Sequence, residues 1–228
     1  MKKTFYVLPV MATFILFSNV SFAQTPSSAS ATVSTKTGLG FRVGLNFAKV
    51  SSDADSIQYR YKPGVMIAVF LSPHSKGIFG YRTELLYSRQ GFEYTDAKGN
   101  TGNVSNDYVM MPHIMTINIT KFVQVQAGAF AGYLIHSKNS NAIADNESDH
   151  NNYLDIMNRF DYGAAAGLEL HPFKGLVING RYNMGFAKLY KEQTDNNFNA
   201  LANTNPFIPF GNIDTKNAVI QLSLGYEF

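Results

Sequence analysis

Eight charged residues share a parity in the sequence that would place them together inside the folded chain. Each lies in a segment where residue types alternate, on the side occupied by small and polar residues. The four cations and four anions are Arg42, Lys62, Arg82, Arg181, Glu84, Asp161, Glu169 and Glu227. A charge in a narrow, poorly hydrated interior costs several kcal/mol unless it is paired. The balance predicts a structural network of salt bridges, and a gated pore lined by the same charges is the alternative.

Hydrolytic chemistry would need a histidine within hydrogen-bond reach of a nucleophile and oriented by a carboxylate. His136 with Ser88 or Ser137 is the one pairing that the spacing suggests, and no acid has a defined position beside it. We therefore assign no catalytic residue. A hydrolase acting on lipid or peptide at the outer rim is kept as an alternative function.

Metal binding is suggested only superficially, by an acidic segment containing Asp145, Glu147, Asp149 and Asp155. This segment lacks the glycine and the bidentate glutamate that an EF-hand loop requires at its sixth and twelfth positions. The chain has no cysteine, which excludes disulfides and thiolate metal sites. We predict no metal and no cofactor.

The composition limits the class of protein. The chain has 228 residues, of which 45% are hydrophobic, 14% aromatic and 15% charged, against about 25% charged residues in a soluble domain. After residue 23, no stretch approaches the roughly 20 apolar residues that a membrane-spanning helix needs. These observations exclude a disordered chain and a helical membrane protein, but they suit a membrane barrel, whose strands have one lipid-facing and one polar side.

The N-terminus predicts export. Lys2 and Lys3 precede an apolar run over 5–17, and Ser21 and Ala23 suit cleavage after Ala23. The run is too short to span a bilayer, which argues against a retained anchor. We expect a signal peptide over 1–23, a flexible periplasmic leader over 24–37 and one barrel domain over 38–228. Without Lys2 and Lys3, 17 of the 19 basic residues remain, against 16 acidic ones. The charges nearly balance, so no nucleic-acid partner is expected.

Alternation with a period of two predicts eight antiparallel strands of an up-and-down transmembrane β-barrel. The segments are 39–48, 65–71, 81–88, 108–120, 123–133, 161–170, 176–186 and 218–228. In the fourth, Pro112 cannot donate a ladder hydrogen bond, so a bulge that shifts the register is expected there. Glycine and charged residues share one face and bulky apolar residues the other, whereas a soluble lipocalin-like barrel would place the apolar face inside.

The connections predict the orientation. Loops after the first, third, fifth and seventh segments read as long, and those after the second, fourth and sixth as short. In outer-membrane barrels the short turns are periplasmic and the long loops extracellular. An even number of strands then places both termini in the periplasm.

Two sets of outward residues suggest contacts with the membrane and with the assembly machinery. Lys49, Arg89 and Lys188 follow the last apolar residue of their segments and would meet lipopolysaccharide phosphates at the outer rim, unless they only extend into solvent. The C-terminal pattern predicts a signal for the barrel insertion machinery, formed by Leu222, Leu224, Tyr226 and Phe228.

Several short motifs resemble the PorT-like outer-membrane β-barrel family of Gram-negative bacteria. They are Lys62-Pro63-Gly64, Glu84-Leu85-Leu86-Tyr87-Ser88, Phe160-Asp161-Tyr162-Gly163 with Gly167, Arg181-Tyr182-Asn183 with Gly185, and Leu222-Ser223-Leu224-Gly225-Tyr226-Glu227-Phe228. The resemblance implies an eight-stranded barrel in the outer membrane, with some relatives associated with protein secretion and no catalytic residues to transfer. We therefore expect a structural or interaction role, with envelope assembly or protein secretion as the candidate process and a hydrolase or a narrow channel as alternatives.

Overall fold

The computed structural model describes residues 37–52, 58–73, 77–95, 101–141, 154, 157–191 and 215–228. The predicted signal peptide, nearly all of the predicted leader and the acidic segment around Asp145 lie outside these residues. Among the described residues, no helix has the length and apolarity needed to cross a membrane.

Eight β-strands account for most of the described chain. Their bounds are β1 (Thr37–Ser52), β2 (Gln58–Pro73), β3 (Phe79–Thr95), β4 (Thr101–Asn118), β5 (Val123–Asn141), β6 (Phe160–Leu170), β7 (Leu176–Gly185) and β8 (Thr215–Glu227). Each strand pairs antiparallel with its sequence neighbour, and β8 pairs with β1 to close the barrel. The predicted eight-stranded antiparallel barrel is confirmed.

The alternation of side chains also matches the prediction. Outward apolar residues such as Ile67, Leu85 and Leu222 are about half exposed and form an apolar band around the barrel. Their inward neighbours are buried. Since successive residues of a strand point to opposite faces, each strand supplies alternate residues to the apolar band and to the interior.

The predicted loop lengths are wrong at two places. The connections after β1 and β3 are only five residues long, as short as the one after β2, whereas those after β5 and β7 are long. The reason is that β1 to β5 are 16 to 19 residues long and extend past the apolar band, where polar residues replace apolar ones on the outer face. We call the end of the barrel that carries the β5–β6 and β7–β8 connections the long-loop end, and the opposite end the short-turn end.

The expected bulge at Pro112 is not found. In the pairing of β3 with β4, Thr83 opposite His113 and Leu86 opposite Met110 belong to the same register, so the register is unchanged across the proline. The register shift in β4 lies instead between Asp107 and Tyr108, in its pairing with β5. A second shift lies between Tyr61 and Met66, where β2 pairs with β3.

The interior is more apolar than the sequence predicted. Large apolar side chains point inward and are fully buried, among them Phe70, Leu86, Ile114 and Phe92. Glycines on neighbouring strands make room for them: a Cβ on Gly40 would lie 2.2 Å from the Phe70 ring. Toward the long-loop end the interior is closed by a cluster that includes Tyr94, Tyr108, Leu134, Met157 and Tyr190.

Candidate functional site: the charged interior of the barrel

Glu84 of β3 is the centre of the interior charge network. Its carboxylate accepts two hydrogen bonds from Arg181 of β7, at 2.8 and 2.9 Å, and a third from Arg42 of β1. All three charged side chains are fully buried. Two guanidinium groups therefore share one carboxylate. The pair of Arg181 with Glu84 is bidentate, which is the strongest geometry for an arginine and a carboxylate.

A second group of charges lies next to the first, toward the short-turn end. Arg82 donates to Glu169 and also lies 3.6 Å from the Glu227 carboxylate. Its guanidinium stacks on the Phe70 ring at 4.3 Å. His171, in the turn after β6, places its Nε2 2.9 Å from the other Glu169 oxygen.

Two neutral side chains that the sequence analysis did not assign connect these groups. Gln126 donates to Glu169 at 2.8 Å and accepts from Arg181 at 2.9 Å. Asn179 accepts from Arg42 and donates to Gln126, both at 2.8 Å. Both residues share the inward parity of the charged residues, so the requirement that buried polar groups be paired could have identified them.

The structure thus brings together six of the eight predicted charges: Arg42, Arg82, Arg181, Glu84, Glu169 and Glu227. Three cations face three anions, so the network has no formal net charge. Such an arrangement can hold the strands in one register, and it leaves the buried charges compensated.

Asp161 lies apart from this network, contrary to the prediction. It is near the start of β6, at the long-loop side, whereas Glu169 is near the end of the same strand. Its carboxylate accepts a hydrogen bond from Asn217 at 2.9 Å, and the same Asn217 amide donates to the Tyr108 hydroxyl. Strand direction, which parity alone does not encode, separates Asp161 from the arginines.

Lys62 was also predicted to face the interior, and the structure places its ammonium elsewhere. The amine donates to Asn103, to the Val104 carbonyl and to Ser105, all on β4. Asn103 and Ser105 alternate with the buried Val104 and Asn106 and therefore lie on the outer face. The register shift between Tyr61 and Met66 is the physical reason for the change of face.

The three predicted rim cations lie at the long-loop end in different environments. Lys49 has its amine 5.0 Å from the centre of the Tyr61 ring, and Lys188 is exposed. Arg89 forms a two-point salt bridge with Asp107, at 2.8 and 3.2 Å. Burial raises the pKa of the Asp107 carboxyl, but the hydrogen bonds and charge of Arg89 outweigh burial and hold this pKa below its usual value. The charge of Arg89 is therefore already compensated.

The hydrolase arrangement considered in the sequence is not assembled. His136 is exposed on the outer face, whereas Ser137, the next residue, is buried inside and donates to Asn106 at 2.7 Å. Ser88 is also buried and accepts from Asn46. Alternation along β5 and β3 therefore puts the histidine on the outer face of the barrel wall and both serines on the inner face.

The residues of the predicted insertion signal lie on the outer face of β8 and directly after its end. Leu222, Leu224 and Tyr226 point outward between buried Gln221, Ser223 and Gly225. The Phe228 backbone N–H donates to the Leu39 carbonyl at 2.9 Å, and its ring lies 5.2 Å from that of Tyr226. The last residue is thus held against β1, at the seam where the barrel closes.

Three solved structures are similar to the chain in fold comparisons. Ail of Yersinia pestis, crystallised with the heparin analogue sucrose octasulfate, is 19% identical with a TM-score of 0.43, covering 84% of this chain and 99% of its own. Neisserial surface protein A is 10% identical, with a TM-score of 0.47 and coverages of 83% and 97%. OprG of Pseudomonas aeruginosa is 9% identical, with a TM-score of 0.42 and coverages of 85% and 97%.

A family comparison identifies the chain more directly, whereas the comparison with curated proteins found no match. The model of the outer membrane protein β-barrel domain matches residues 22–191, which is more than half of the chain. This match agrees with the closed ring of eight antiparallel strands and with the apolar band on its outer face. The chain therefore belongs to the outer membrane protein β-barrel domain family, as an eight-stranded barrel of the outer membrane.

Proposed function

We propose that the protein is a non-conducting outer-membrane barrel with a structural or interaction role. The observation that carries this proposal is the paired network around Glu84, which fills the interior from several strands with no net charge. Buried apolar side chains, including Tyr108 and Leu134, fill the interior toward the long-loop end. Because an eight-stranded barrel is only wide enough for its own side chains, these two layers leave the ends of the barrel to make functional contacts.

Envelope assembly or protein secretion is the role that we propose for these contacts, in keeping with the resemblance to PorT-like barrels. In this proposal the precursor carries a signal peptide, both termini are periplasmic and the long-loop end faces outward. The support is the unequal ends, since short turns mark the periplasmic side of bacterial barrels. Crosslinking in intact cells followed by mass spectrometry would identify the partners, and recovery of the barrel without an envelope or secretion protein would count against this role.

Planar-bilayer recordings test the closed interior. The purified protein should give no steady conductance across the voltage range in which a general porin inserted in the same membranes conducts, because paired side chains occupy the path. Steady, ohmic conductance would instead support the narrow-channel alternative.

Deleting Phe228 should lower the fraction of protein inserted in the outer membrane. The deletion removes the last outward aromatic residue and its hydrogen bond to Leu39 at the closing seam, where we expect the insertion machinery to bind. Insertion is measured by heat-modifiable migration of membrane fractions, with Phe228→Tyr as the matched control. Wild-type insertion of the deleted form would show that Phe228 is not part of such a signal.

A further inference from the structure

The outer wall of β2 to β5 carries a small basic niche just beyond the apolar band. Its floor is formed by Gly91 of β3 and Ser105 of β4, which are opposite each other in the register. Lys62 of β2 lies on one side and Lys138 of β5 on the other. All four residues lie at the long-loop end.

Lys62 is held over the floor of the niche by three hydrogen bonds. Its amine lies 2.7 Å from Asn103 Oδ1, 3.2 Å from the Val104 carbonyl and 2.5 Å from Ser105 Oγ. These acceptors are all neutral, so the hydrogen bonds place the positive charge without cancelling it. Because the Ser105 hydroxyl accepts from Lys62, its own hydrogen is available to donate to an anion on the outer side.

Gly91 allows Lys62 to lie in this position. Its φ of +155° lies in the region that favours glycine. A Cβ there would lie 2.0 Å from the Val104 carbonyl oxygen and 3.2 Å from Lys62 Cδ. The backbone therefore leaves a depression on the outer wall, into which the lysine side chain is laid.

Lys138 completes the niche from the neighbouring strand. It is opposite Ser105 in the pairing of β4 with β5, and it is exposed whereas Ser137 is buried. Paired strands lie about 4.8 Å apart, so Ser105 has a lysine on each side. The next outward position toward the apolar band has the same arrangement: Asp107 is opposite Arg89 on one side and His136 on the other.

The charge of this wall favours an anion. In the described part of β2 to β5 beyond the apolar band, the cations Arg60, Lys62, Arg89 and Lys138 face the acids Glu93 and Asp107. Asp107 compensates Arg89, and the charge of Glu93 acts on Lys62. Four cations against two acids still leave a surplus of two positive charges on this wall, and Lys62 and Lys138 are the cations beside the serine hydroxyl.

We propose that the niche formed by Lys62, Gly91, Ser105 and Lys138 binds a phosphate group of lipid A, the membrane anchor of lipopolysaccharide. The last outward pair of the apolar band on β3 and β4 is Tyr87 and Val109, and the next outward pair is Arg89 and Asp107. Gly91 and Ser105 follow as the next pair, so the niche is at the level of lipid headgroups. It also opens on the outer wall, toward the surrounding lipid. This inference rests on the proposed orientation of the long-loop end toward the outer leaflet.

The test measures binding of lipid A to the purified mature chain in detergent micelles, using diphosphorylated lipid A and its dephosphorylated form as probes. The double variant Lys62→Gln/Lys138→Gln should bind the diphosphorylated form about thirtyfold more weakly, since each surface lysine contributes about 1 kcal/mol. The variant Ser105→Ala should weaken binding about threefold with no change in charge. The matched control Lys121→Gln/Lys174→Gln makes the same charge change at the short-turn end and should bind as wild type does.

Four results would overturn the proposal. The double variant could bind diphosphorylated lipid A as tightly as the wild type does, or the control could weaken binding equally, which would indicate only diffuse charge. Equal binding of the dephosphorylated form would exclude phosphate recognition. Displacement by millimolar inorganic phosphate would assign the niche to soluble anions instead of lipid. None of these results affects the bilayer recordings, so the niche and the closed interior can fail separately.

Discussion

Replacing Glu84 with alanine should lower the free energy of unfolding by about 3–5 kcal/mol, the usual cost of removing one partner from a buried ion pair. The loss leaves Arg42 and Arg181, both fully buried, facing each other without their shared carboxylate. Urea unfolding in lipid vesicles, followed by tyrosine fluorescence and heat-modifiable migration, measures the change. The matched control is Glu93→Ala, which removes an exposed acid from the same strand and should change stability by less than about 0.5 kcal/mol.

A rescue variant separates the charge effect from a packing defect. Combining Glu84→Leu with Arg42→Met and Arg181→Met replaces the whole group by apolar side chains of similar size. Such replacements are often neutral or stabilising in buried ion clusters, so the triple variant should recover most of the loss. If Glu84→Ala were as stable as wild type, or if the triple variant were less stable than the single one, the network would not be held by charge pairing.

Gly44→Val should strongly lower the fraction of protein that folds. Gly44 lies on β1 opposite Ser223 of β8, at the seam that closes the barrel. A Cβ there would lie 2.1 Å from the Leu222 carbonyl oxygen and 2.7 Å from Ser223 Cα. Because both atoms are backbone, the strands would have to separate, at a cost of roughly 3 kcal/mol or more. The folded fraction after refolding into lipid vesicles, read from heat-modifiable migration, measures this effect.

Gly180→Val is the matched control for the seam. Gly180 lies on β7 opposite Leu222, on the other side of the same strand β8. The nearest atom to a Cβ at this position is Leu222 Cδ2 at 3.6 Å, which is an ordinary contact. The same substitution should therefore be tolerated there. Equal folding of the two variants would contradict the argument from close approach.

The sequence was sufficient for the number of strands and, apart from Lys62 at the register shift in β2, for which of the predicted charges face inward. Both follow from alternation, which is a local property of an extended chain: each residue points opposite to its neighbour whatever the partner strand is. Parity also placed Arg42, Glu84 and Arg181 in the interior, and the need of a buried charge for a partner of opposite sign predicted that they pair. Strand ends were less predictable, since β1 to β5 continue past the apolar band with polar residues on their outer face.

Which charges meet was decided only by the tertiary structure. Glu84 and Arg181 are 97 residues apart, and their contact depends on strand direction and on the offset between strands, which parity does not specify. Direction separates Asp161 from the arginines, and a register shift moves Lys62 to the outer wall. The pairing of Arg89 with Asp107 has the same origin, because the two residues become neighbours only when β3 and β4 are aligned. Within regular strand pairing, facing is set residue by residue along the chain, whereas register shifts and side-chain contacts are set by how the strands align when the barrel closes.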